Sequence, residues 1–109
     1  MLKLAALITA LTVAAPVAMA SPWSAFHPRR AEVNDRLANQ NARVDAGVRD
    51  GQLTRGQAAQ LHREDHAIRN QERGMAARDG GHITAHDQRV LNHEENQVSG
   101  QIHGERRGN

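Results

Sequence analysis

The densest chemistry in the chain is the run His62-Arg63-Glu64-Asp65-His66. Residues four apart on a helix are neighbours, so His62 and His66 would stand one turn apart with Asp65 between them in angle. Two imidazoles and a carboxylate form a donor set suited to zinc, copper or nickel. A further ligand would have to come from His86, His93 or Glu95 on a later helix. The run is not the HExxH pattern of metalloproteases, because Arg63 stands where the general-base glutamate belongs, and metal-assisted hydrolysis loses its key residue. The competing reading is a solvated helix face on which Asp65 pairs with an arginine.

Other catalytic chemistries find less support. The chain contains no cysteine, which excludes disulfides, a thiol nucleophile and an iron–sulfur site within it. Beyond the first twenty residues the only serines are Ser21, Ser24 and Ser99, and none sits in a strand–turn–helix elbow. The glycine run Asp79-Gly80-Gly81 has no phosphate-loop lysine after it. The expectation is a protein that is not an enzyme.

A second constellation consists of acids at apolar positions. The segment Gly51-Gln52-Leu53-Thr54 recurs as Gly81-His82-Ile83-Thr84, and the same offset carries Leu61 onto Leu91, Asp65 onto Glu95 and Ile68 onto Val98. Asp65 and Glu95 are therefore equivalent, and both face inward near the level of Gln40 and Asn41 if the helices pack on their apolar stripes. One reading is a polar layer satisfied by arginines such as Arg36 and Arg69, which fixes helix register. The other is a proton-linked or metal-linked switch.

The elements that position these residues are helices. Val33, Leu37, Val44 and Val48 form one stripe on a first long helix, which starts at Pro28 and runs to about Arg49. Thr54, with Gln57 three residues on, caps a second helix whose stripe is Ala58, Leu61, Asp65, Ile68, Glu72 and Met75. Thr84, with Asp87 three residues on, caps a third, with Leu91, Glu94 or Glu95, Val98 and Ile102 on its stripe. The fold expected is all-α: a three-helix bundle or open helical array built from two helix-turn-helix repeats. The repeated glycine–aliphatic turns could lie side by side as a minimal strand pair, an EF-hand-like arrangement without calcium ligands. With Gly51 or Gly81 at the sixth loop position, the first, third and twelfth become Ala46, Val48 and Gln57, or Ala76, Arg78 and Asp87, which cannot cage calcium.

The chain divides into a cleaved signal peptide (1–20), a flexible N-terminal segment (21–27), the helical domain (28–103) and a disordered tail (104–109). Lys3, the apolar run Leu4 to Val13 and the cleavage pattern Ala18-Met19-Ala20 make the export signal, with cleavage after Ala20 and a periplasmic or secreted location. No second apolar run follows, so no transmembrane segment is expected in the mature chain. After residue 20 there are thirteen basic residues, all arginines, against twelve acids, and the two signs alternate along the helices. That is a solvated, salt-bridged surface and not a nucleic-acid footprint. Thirteen large aliphatic side chains, Met75 included, make a thin core for one small domain, which points to marginal stability or to a homodimer. Trp23 and Phe26, the only aromatics, either fold back onto the first long helix or form an exposed anchor for a partner or a membrane surface.

Leu53-Thr54-Arg55-Gly56-Gln57 resembles the LTxxQ motif of the Spy/CpxP family, exported all-helical proteins that act as ATP-independent chaperones and envelope-stress sensors. The likeness covers these five residues, and the second copy, Ile83-Thr84-Ala85-His86-Asp87, departs from the motif at both ends. A longer stretch, from His27-Pro28-Arg29-Arg30 through both glycine–aliphatic–threonine units, is similar to small exported proteobacterial helical proteins of unknown function. This longer likeness implies a periplasmic location and a helical repeat and supplies no activity; the LTxxQ match is what implies binding of unfolded or envelope proteins. The functional expectation is thus a non-enzymatic binding protein of the envelope, acting on proteins or metal in stress. Transition-metal buffering through the histidine-rich face and an accessory exported protein without a discrete site are the alternatives.

Overall fold

The computed structural model describes residues 22–108; the expected export signal lies outside the described residues. Four helices follow in order: α1 (Pro22–Phe26), α2 (Pro28–Arg49), α3 (Arg55–Arg78) and α4 (Ala85–Gly108). No strand occurs among the described residues. None of these helices is long and apolar enough to cross a membrane.

Local chemistry sets the helix boundaries. Pro28 opens α2, where a missing backbone N–H leaves no intrahelical bond unmade. Thr54 caps α3: its hydroxyl accepts from the Gln57 amide at 3.1 Å, while Gln57 Oε1 accepts from the Thr54 amide at 3.0 Å. Thr84 and Asp87 repeat the exchange at the start of α4, at 3.0 and 3.1 Å. Both expected helix starts are present.

The buried positions have heptad spacing. In α2 they are Val33, Leu37, Gln40, Val44 and Gly47; in α3, Ala58, Leu61, Asp65, Ile68, Glu72 and Ala76; in α4, Leu91, Glu95, Val98 and Ile102. Steps of three and four keep one narrow seam facing the bundle axis. In α3, Ala76 takes the last seam position in place of the expected Met75, which is only partly buried. Gly47, not Val48, occupies the last seam position of α2, because Leu53 folds back onto it: a Cβ at Gly47 would lie 2.7 Å from a Leu53 methyl. Val48 is left partly buried at the edge of the core.

Pairwise contacts give the topology. Arg30 meets Glu72, Arg69 meets Asn34 and His62 meets Asn41, so α2 and α3 run antiparallel. Gln88 meets Glu32, Arg36 meets Asn96 and Arg43 meets Ser99, so α4 runs parallel to α2. Gln71 faces Glu94 and Gln101 faces Glu64 between α3 and α4. This is an up-down-up three-helix bundle with α1 against one end.

The bundle overturns the side-by-side placement of the two glycine turns. Leu53 packs at the end where α2 finishes, near Arg106, whereas the carbonyls of Gly81 and Ile83 accept from Arg30 and Arg29 at the end where α2 begins. A helix of 24 residues keeps the turns apart by about 36 Å at 1.5 Å per residue. The EF-hand-like strand pair therefore does not form.

Residues 22–26 and 104–108, within the two segments expected to be loose, have helical backbone. Residues 22–26 make a short turn, pinned by Trp23 stacking on His27 at 4.8 Å and His27 on His82 at 4.6 Å. Trp23 folds back in this way, whereas Phe26 stays 74% exposed. The C-terminal helix continues through the expected tail to Gly108, held by Arg106 Nε donating to Gln52 Oε1 at 2.6 Å. Arg106 and Arg107 in its last turn also complement the negative helix end.

Candidate functional site

Gln40, Asp65 and Glu95 occupy matching seam positions on α2, α3 and α4, at the middle of the bundle. Above them in the heptad sit Leu37, Ile68 and Leu91, and below them Val44, Leu61 and Val98, all buried. The repeat had placed Asp65 and Glu95 at equivalent positions, and the fold brings them together: each side chain is at most 2% exposed. Gln40 Nε2 donates to the backbone carbonyl of Glu95 at 2.7 Å and so ties α2 to α4 at this level.

The layer is short of donors. Gln40 Oε1, both oxygens of Asp65 and both of Glu95 are buried without a hydrogen-bond partner. Of the arginines expected to satisfy them, Arg36 reaches Glu95 only as a long ion pair and Arg69 goes elsewhere. Arg36 donates to Asn96, and its nearest approach to Glu95 is 4.0 Å; Arg69 donates to Asn34 Oδ1 at 3.3 Å. Burial dominates the electrostatics that result. It pushes the Glu95 carboxyl up from 4.5 to about 8, against the pull of Arg36 and with a further push from Glu32 and Asp65. Asp65 is pushed from 3.8 to about 6, again by burial first, opposed by His62 and assisted by Glu64.

A groove of about 380 Å³ between α2 and α3 opens beside this layer, and among its lining residues are Asn41, His62, Asp65, His66 and Arg69. The three ligand candidates from the sequence therefore share one groove. They do not converge in it. His62 turns across to α2, with Nδ1 2.7 Å from Asn41 Oδ1 and Nε2 3.0 Å from Asp45 Oδ1. Asp45 can only accept, so Nε2 is the donor of that pair. Asp65 points to the core and His66 is exposed. His86 and His93 are exposed on α4, His93 beside Gln97 at 3.3 Å, and Glu95 belongs to the central layer. Among the described residues no three histidine or acidic side chains are placed to hold one metal ion.

A second polar point lies one heptad beyond the layer. Glu72 is fully buried, and its Oε1 accepts from Arg30 Nε. The same guanidinium donates to the Gly81 carbonyl at 3.1 Å and lies 5.2 Å over the Trp23 ring. Arg30 thus joins α1, α2, α3 and the second turn. Sequence reading marked Glu72 as a seam acid but missed Arg30, since a partner 42 residues away leaves no local signal. Comparison of the chain with protein-family models, with curated proteins and with solved structures finds no match.

Proposed function

We propose that this is a non-enzymatic exported helical protein that binds other polypeptides, in the manner of an ATP-independent holdase of the envelope. The observation that carries the reading is the central layer, where five buried acceptor atoms on three helices lack donors. Each unmet acceptor costs about 1 to 3 kcal/mol in the closed bundle. Separating the helices hydrates those atoms and frees three amphipathic seams, so part of the cost of exposing Leu37, Leu61, Ile68 and Leu91 is returned. A thin apolar seam interrupted at its centre is suited to exchanging its own helices for a client segment.

The test is aggregation of several chemically unfolded clients at neutral pH, without nucleotide, with stoichiometric protein. Suppression of light scattering is expected. Unaltered aggregation of every client removes the reading.

A second reading, transition-metal binding, is favoured by one observation: His62, Asp65 and His66 line a common groove in which both Asp65 oxygens lack partners. It requires His62 to leave Asn41 and Asp45 and Asp65 to turn outward. Its readout is metal-dependent stabilisation, which client binding does not need.

A further inference from the structure

We propose that the central layer is a one-proton site at neutral pH: Asp65 and Glu95 hold a single proton between them, and the bundle tightens when the layer gains protons and loosens when it loses them. The proposal stands whether or not the chain binds other proteins.

The stoichiometry of donors and acceptors is the first support. Every unpartnered polar atom of Gln40, Asp65 and Glu95 is an acceptor when both acids are ionised. The one donor group of the layer, Gln40 Nε2, turns to the Glu95 backbone carbonyl, and neither of its two N–H bonds reaches a carboxylate oxygen. Two carboxylates buried in one layer repel, and Asp65 is among the charges that push Glu95 up. A proton taken from solvent onto either acid removes one of the two charges. It also converts one oxygen into a donor among four remaining acceptors. No covalent bond to a heavy atom changes; an O–H forms on folding and is returned to water on opening.

The surrounding charges do not replace that proton. From α2, Arg36 faces Glu95 at 4.0 Å and Glu32 adds a like charge. From α3, His62 acts on Asp65 but is held by Asn41 and Asp45, and Glu64 opposes it. Arg69 is engaged by Asn34. Among the described residues, the arginine that hydrogen-bonds a buried acid is Arg30, and it sits at Glu72.

The direction of the pH effect follows from acids whose folded pKa lies above the unfolded one. Their contribution is fully present below about 4 and is lost as pH rises through the folded values, about 6 for Asp65 and about 8 for Glu95. Folding therefore takes up two protons between pH 4.5 and 6, and one between 6 and 8. In that upper window the folding constant falls about tenfold per pH unit.

The experiment measures urea unfolding of the mature chain from pH 4.5 to 9, for the parent and for Glu95→Gln, together with the carbon-13 carboxyl titration of Glu95 by NMR. Glu95→Gln supplies a permanent donor of the same shape, so the decline from 6 to 8 should flatten. Subtracting the two curves cancels the histidines common to both. The Glu95 resonance of the parent should titrate well above the ordinary carboxylate range. A variant that keeps the parent's full decline overturns the proposal, as does a Glu95 carboxyl that titrates below pH 5. If Glu95→Gln fails to fold, the parent's NMR titration decides alone.

Discussion

Removing the Arg30 side chain is the sharpest perturbation of the fold. Glu72 is fully buried, one of its oxygens has no partner, and the other relies on Arg30 Nε. Truncation of Arg30 to alanine leaves that carboxylate uncompensated in the core, at a cost of about 3 to 5 kcal/mol. Loss of the hydrogen bond to the Gly81 carbonyl adds roughly 1 kcal/mol. A domain of this size sits at the low end of the usual ~5 to 15 kcal/mol, so the variant should be close to unfolding. At about 4 to 8 °C per kcal/mol the melting temperature should fall by at least ~12 °C. Circular dichroism at 222 nm during heating and urea titration reads both quantities. The pair Arg30→Met and Glu72→Leu, which empties the seam of charge, should recover most of the loss. A single Arg30→Ala variant within about 1 kcal/mol of the parent would falsify the buried-pair account, because an exposed ion pair is worth no more than that.

The helix caps and the metal reading make simpler demands. Thr54→Ala and Thr84→Ala should each cost about 1 kcal/mol in urea unfolding, and unchanged midpoints in both would leave the two capping boxes without energetic content. Zinc, copper or nickel, if bound, should raise the melting temperature of the parent and do so less as pH falls through the histidine range near ~6.5. The His62→Ala/His66→Ala double variant should lose that response; an undiminished response would move any metal site away from α3.

Helix boundaries and core were legible because local chemistry decides them. Pro28, the Thr54–Gln57 and Thr84–Asp87 boxes and the heptad spacing each act within a few residues. The placement of Asp65 and Glu95 followed from the repeat. Beyond the shared level of Gln40, Asp65 and Glu95, what failed were inferences that required knowing which residues of other helices come near. The glycine turns look alike, yet they lie a helix length apart. Arg69 was a sensible partner for Asp65 by charge, but on the bundle surface Asn34 is nearer. His62 and His66 share a helix face, yet His62 is drawn sideways by Asn41 and Asp45 on α2. The ends of the chain were expected to be loose as chain termini. Stacked rings at one end and Arg106 at the other supply contacts that a count of apolar residues does not see.

The two polar points of the seam also explain why a bundle of small and interchangeable aliphatics takes one register. Layers of Leu, Ile, Val and Ala differ little in shape, and an apolar seam of such residues tolerates a slide of α3 by one heptad at modest cost. Such a slide would carry Asp65 out of the Gln40–Glu95 level and place it at the level of Val33, or at that of Gly47 and Ile102. It would also take Glu72 away from Arg30, leaving a fully buried charge bare. Each misplacement costs several kcal/mol, more than the apolar contacts could recover. The acids therefore weaken the native bundle and penalise its nearest competitors more heavily. Arg30–Glu72 fixes one end through its ion pair, whereas the central layer holds the register most firmly when it carries its protons.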